Sequence, residues 1–173
     1  MTGGRSIQAE MERFLEMLER EGVRYERDVS LRKKTWIRRG GIASIWIQPS
    51  ELPEFVQIAS WLQGSDLPFE IVGGTSNCYF STDYHPYVVL STLRLKGMRI
   101  ENERAVCECG YRMSELAKWS VENGYEGYEG FIGLPGTVAG AAINNAGCYG
   151  SLVSDQIVGI VFLQHGEVRT VSP

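Results

Sequence analysis

Between Gly130 and Gly150 the chain reads Gly130-Phe131-Ile132-Gly133-Leu134-Pro135-Gly136-Thr137-Val138-Ala139-Gly140-Ala141-Ala142-Ile143-Asn144-Asn145-Ala146-Gly147-Cys148-Tyr149-Gly150, and almost every side chain in it is small. A run this poor in large side chains buries little apolar surface of its own, so it needs something flat or extended lying against it. Pro135 suits the first position of a helix, and the small residues behind it leave free backbone donors beside whatever sits there. Close packing of a helix on a neighbour explains Gly136 and Gly140. It explains the flanking Asn144 to Gly150 segment poorly.

A second glycine loop stands upstream, Gly73-Gly74-Thr75-Ser76-Asn77. Successive small residues let backbone N–H groups converge on an anion, and the Thr, Ser and Asn side chains add donors. Taken alone it reads first as a tight turn between strands. It follows the short apolar run Pro68 to Val72, so it lies at the carboxyl end of a strand, where ligands of α/β sheets sit. Neither GxGxxG nor GxxxxGK[ST] occurs, which argues against the Rossmann and P-loop classes.

The elements around these loops follow from periodicity. Ile7, Met11, Phe14, Leu15 and Leu18 recur at helical spacing up to Gly22. A strand at Val23 to Val29 leads through Arg32-Lys33-Lys34 and Arg38-Arg39, read as a solvated face, to the turn Gly40-Gly41 and a strand at Ala43 to Gln48. Ser50 is the expected N-cap of a helix that Gly64 ends. Strands are then expected at Tyr87 to Ser91, Met98 to Glu101 and Ala105 to Glu108, a helix at Met113 to Glu122, and a hairpin turning at His165-Gly166. Strand, helix, strand and loop in order make an α/β lobe, followed by a mixed one.

Composition narrows the function. With 17 basic and 21 acidic residues, a net charge of -4, the chain carries no broad footprint for nucleic acid. No apolar run reaches membrane-spanning length and Met1 to Glu10 lacks a signal core, so the expected home is cytoplasmic. Cys78, Cys107, Cys109 and Cys148 form no CxxC pair and read as structural thiols, and His85 and His165 as surface residues, so no metal site is expected.

At this point the motifs resemble a known family. Thr35-Trp36-Ile37-Arg38-Arg39-Gly40-Gly41-Ile42-Ala43 is similar to TWFRxGGPA, Gly73 to Asn77 to GGGSN, Gly133 to Ala141 to GIPGTVGGA, and Asn145 to Gly150 to NAGAYG, all of the UDP-N-acetylenolpyruvoylglucosamine reductases. Ile42 stands where that family usually has proline, and Thr75 where it has a third glycine. The resemblance implies an α+β, two-lobed PCMH-type FAD-binding domain, a small α/β lobe plus a mixed α+β lobe. The expected division is an N-terminal helix and lead-in at 1–30, a first lobe at 31–92 and a second at 93–173, without the C-terminal substrate domain.

The same resemblance implies non-covalent FAD, with its diphosphate on Gly73, Gly74, Thr75, Ser76 and Asn77 and on Gly133, Pro135, Gly136, Thr137, Gly140 and Ala141. Its ring is expected near Asn145, Ala146, Gly147 and Tyr149, with Gly40 and Gly41 completing the set. NADPH would be the reductant and a UDP-sugar the small-molecule partner. The family's arginine, serine and glutamate motifs are absent, so no catalytic residue is assigned; Gly110-Tyr111-Arg112-Met113-Ser114 lies on the wrong side of the Gly133 loop and reads as a turn into a helix. The open alternatives are a non-catalytic flavin or nucleotide module and a divergent FAD-dependent oxidoreductase with another substrate. Gly74→Val is expected to block close approach of phosphate.

Overall fold

Phe14, Met17 and Leu18 form the apolar stripe of the first helix, α1 (Ile7–Arg20), and all three are buried. A computed structural model of the chain describes residues 6–172; residues 1–5 and 173 of the expected segments fall outside them. The stripe of α1 packs with Ile58, Ala59 and Leu62 of α3 (Leu52–Gln63) onto Ile45, Ile47, Val88 and Leu90 of a sheet. That sheet has the order β1 (Tyr25–Ser30), β2 (Ile42–Ile47), β4 (Val88–Ser91), β3 (Phe69–Val72). β1 runs antiparallel to β2, while β2 and β3 both run parallel to β4. Central β4 reads Val-Val-Leu-Ser and every residue of it is buried, the signature of a parallel strand covered on both faces. On the opposite face Trp46, Val72 and Val89 pack with Leu31 and Phe80.

Two local details differ from expectation. The helix α3 begins after Glu51 rather than Ser50; the Ser50 N–H donates to Glu54 Oε2 at 3.2 Å, so a first-turn carboxylate does the capping. The basic run after β1 winds into a single helical turn, α2 (Leu31–Lys34), because Leu31 is drawn into the core while its neighbours stay in solvent.

The mixed second half consists of the hairpin β5 (Met98–Glu101) and β6 (Arg104–Cys107), α4 (Met113–Glu122), a 3-10 turn at Glu129–Phe131, and α5 (Val138–Ile143). A two-residue pairing of β7 (Gly147–Cys148) with β8 (Ser151–Leu152) follows. Met113, Leu116, Ala117, Phe131, Ala141 and Val153 make its core. The final hairpin, β9 (Ile160–Gln164) with β10 (Glu167–Val171), turns at His165-Gly166 as expected. It clasps α3, with Gln63 Nε2 donating to Leu163 O and the Gly166 N–H donating to Gln63 Oε1, both at 3.3 Å. Among the described residues no helix is long and apolar enough to cross a membrane.

Candidate functional site

The two glycine-rich stretches meet. A Cβ built on Gly73 would stand 2.5 Å from Thr137 Oγ1, one on Gly74 2.8 Å from Gly136 Cα, and one on Gly136 2.8 Å from Ser76 Oγ. Polar side chains stitch the seam: Ser76 Oγ donates to Pro135 O at 3.3 Å, and Asn77 Nδ2 donates to Asn144 Oδ1 at 3.0 Å. Thr137 is the buried N-cap of α5, its Oγ1 accepting from the Gly140 N–H at 3.3 Å. The start of α4 supports it from behind, with the Met113 N–H donating to Gly136 O and the Val138 N–H to Tyr111 O. Gly110 to Ser114 is thus a turn into a helix, with Arg112 at the N-cap position of α4.

Loop–loop packing therefore claims the missing Cβ atoms of Gly73 and Gly74, which corrects the expectation that Gly74 stands open to a phosphate. The backbone donors left for a ligand lie on the 73–77 loop and not, as expected, behind Pro135: Pro135 stands two residues ahead of the Thr137 cap, and the N–H groups of Val138, Ala139 and Gly140 donate to Tyr111 O, Cys109 O and Thr137 Oγ1. Among the described residues, no protein acceptor takes the N–H of Gly74, Thr75, Ser76 or Asn77. Four consecutive unpartnered amides are a donor set that an anion can take up.

Thr75 holds the third motif to this seam. Its φ is +55°, a left-handed conformation that a β-branched side chain resists, and its side chain is buried with Oγ1 accepting from the Trp36 N–H at 2.9 Å. Trp36 sits in a turn that Thr35 closes, its Oγ1 donating to Arg39 O at 2.8 Å and accepting from the Arg39 N–H at 3.2 Å. Gly40 and Gly41 lie beyond this turn, packed on Leu31 and Phe80 and on the carbonyls of Thr82 and Tyr84, so they fix the entry into β2.

The remaining candidates divide by surroundings. Ala141 is buried in the core of the second half and Ala146 packs against it, while a Cβ at Gly147 would meet Leu152 at 2.9 Å. Gly133, with φ +83°, has open space around it. Asn145 has φ +43° and its Oδ1 accepts from the Ser154 N–H at 2.9 Å. Tyr149 and Gly150 make the turn between β7 and β8 with φ of +49° and +85°, both left-handed as a type I′ hairpin turn requires. Tyr149 stands 91 % exposed and Ile143 85 % exposed, large apolar groups presented to solvent. Asn144 and the Trp36 N–H were not among the expected site residues; the Asn144-Asn145 doublet beside the small-residue run is the signal that could have found the first.

The cysteines are unpaired. Burial pushes the Cys107 thiol up to about 11, and burial raises those of Cys109 and Cys78 as well. Thiols held neutral in this way are poor nucleophiles and metal ligands, as structural residues are.

A family of FAD binding domains matches residues 43–172. The chain belongs to that family. Its relatives include the UDP-N-acetylenolpyruvoylglucosamine reductases of Caldicellulosiruptor saccharolyticus, 31% identical over 143 residues, covering 83% of this chain and 46% of that protein. The same enzyme of Synechococcus sp. (strain JA-3-3Ab) is 33% identical over 141 residues, covering 81% of this chain and 45% of that protein. The chain thus spans less than half the length of these two relatives. Among solved structures, the reductase of Thermus caldophilus superposes with a TM-score of 0.66 at 22% identity, covering 87% of this chain and 53% of that one. Berberine bridge enzyme from Eschscholzia californica superposes with a TM-score of 0.63 at 15% identity, over 91% of this chain and 37% of that one. The fold is the two-lobed, PCMH-type FAD-binding architecture in α+β form. The seam offers such a cofactor four free amides, donors of the kind a diphosphate takes.

Proposed function

We propose that the chain is the FAD-binding part of a UDP-N-acetylenolpyruvoylglucosamine reductase, holding FAD without a covalent bond along the seam between residues 73–77 and 133–149. The carrying observation is the row of unpartnered amides from Gly74 to Asn77, pinned by Ser76 to Pro135 just ahead of α5 and by Asn77 to Asn144 at the C-cap of α5. Those amides hold the diphosphate; Thr75 fixes the loop's conformation through Trp36; Tyr149 and Ile143 offer exposed apolar surface to the ring. Bound there, FAD supplies two-electron hydride chemistry, with the protein providing orientation and charge stabilisation. In the whole protein NADPH is the hydride source and the enolpyruvyl group of a UDP-sugar the acceptor, in cytoplasmic synthesis of a peptidoglycan precursor. This reading rests on the ordered motifs and on the reductases the chain resembles.

Adding FAD to the purified chain should produce flavin absorbance bands that co-elute with the protein, and denaturing mass spectrometry should return the flavin-free mass of the polypeptide. A colourless protein that leaves the fluorescence of added FAD unchanged would defeat the proposal, and a retained flavin mass would defeat its non-covalent form.

A further inference from the structure

The basic run splits in three dimensions. Lys34 turns away, paired with Glu26 at 2.6 Å and lying over the Trp46 ring. Arg32, Lys33 and Arg38 instead line one recess of about 640 Å³ together with Ser30 and Thr35. Among the described residues none of these three cations has an acidic partner. Glu26 of the adjoining strand is directed elsewhere, to Lys34. The half-buried Ser30 hydroxyl has no hydrogen-bond partner among the described residues, so it too is available. The wall is fixed by the paired Thr35–Arg39 hydrogen bonds, which hold Arg38 at a φ of +55°.

We propose that this recess is a second anion site, separate from the glycine loops, that takes a phosphate-bearing small molecule. Its volume is that of ordinary small-ligand pockets. Two guanidiniums and an ammonium lining one recess with a hydroxyl supply the charge and donors that a phosphate monoester or diphosphate takes. Three cations on a chain with 17 basic and 21 acidic residues do not make the extended footprint that a polynucleotide needs. Uncompensated like charges repel one another, so a cluster of this kind is relieved by a bound anion.

The test is titration of the chain with inorganic phosphate, then pyrophosphate, followed through the backbone amide resonances of residues 30–38. Saturable shifts confined to that segment are expected, weakening as salt rises. Arg32→Gln with Lys33→Gln, and separately Arg38→Asn, which tolerates the left-handed backbone, should each weaken binding about tenfold, since charged hydrogen bonds of this kind carry that much affinity. Lys118→Gln, an exposed charge elsewhere, should leave it unchanged. The proposal is overturned if the shifts are absent, if Lys118→Gln weakens binding as much as the recess variants, or if a short single-stranded oligonucleotide binds more tightly than pyrophosphate at equal salt. Repeating the titration with added FAD separates this site from the flavin: phosphate should still shift residues 30–38, and its exclusion by FAD would return the recess to the cofactor's own phosphates. Failure of FAD to bind at all would leave the phosphate result standing.

Discussion

Thr75 shows how one residue can oppose a backbone preference and still be useful. The GGGSN motif that this loop resembles has glycine at this point, where a left-handed φ is free of steric cost; here a β-branched residue adopts it at a cost on the order of 1 kcal/mol. The hydrogen bond from the Trp36 N–H offsets that cost and ties two motifs together. Thr75→Val keeps the shape and the strain but removes the acceptor, and should lower stability by about 1 kcal/mol in urea unfolding, whereas Thr75→Ser should retain most of it. Gly74 is limited by a different contact, the Gly136 backbone at 2.8 Å. Gly74→Val should destabilise the chain by about 1–3 kcal/mol through that collision. It should weaken FAD binding by forcing the loops apart rather than by blocking the phosphate; a variant of wild-type stability with lost flavin affinity would reverse this assignment.

Among the elements, α5 is too short to persist alone and depends on its cap and its packing. Thr137→Ala removes the acceptor for the Gly140 N–H and should cost about 1 kcal/mol, measured by chemical denaturation, with Thr137→Ser close to wild type. The second-half core also makes a pH prediction. The Cys107 thiol rises from 9.0 to about 11 on burial, so the unfolded chain releases this proton first as pH climbs. The associated stability is whole below about pH 9 and is lost as pH passes through about 11, with Cys109 and Tyr128 shifted by burial in the same direction. Thermal melts of Cys107→Val across that window should fall less steeply than those of the wild type.

For the whole molecule, the seam joins α5 and its cap to the loop after β3, so a ligand bridging it couples the two halves. FAD at a concentration 100-fold above its dissociation constant should raise unfolding free energy by about 2.7 kcal/mol, seen as a higher melting temperature. No change in melting temperature would argue that the seam is structural alone. The chain spans less than half the length of the two reductases, so by itself it should not reduce a UDP-N-acetylglucosamine enolpyruvate at a useful rate. Robust turnover measured with NADPH and FAD would show that the described residues are sufficient.

Much of this was legible in the sequence because the signals were local. Helical spacing located α1 and α4, apolar runs located β3 and β4, and the Gly-rich motifs with their order gave the family and the loops where a ligand would sit. Ser50 and the turn of α2 were misjudged since a cap and a single helical turn depend on which neighbours reach them: the Glu54 carboxylate in one case, the core around Leu31 in the other. Long-range contact decided the rest. Sequence determined that residues 73–77 and 133–150 would be rich in small side chains; only tertiary structure decided that the free amides lie on 74–77 while those of 138–141 are taken, that Gly73 and Gly74 face Thr137 and Gly136, and that Arg32, Lys33 and Arg38 share one recess while Lys34 leaves it. Periodicity reports which face a side chain takes, whereas the approach of segments some 60 residues apart is set by the packing of the sheet and α5 that carry them.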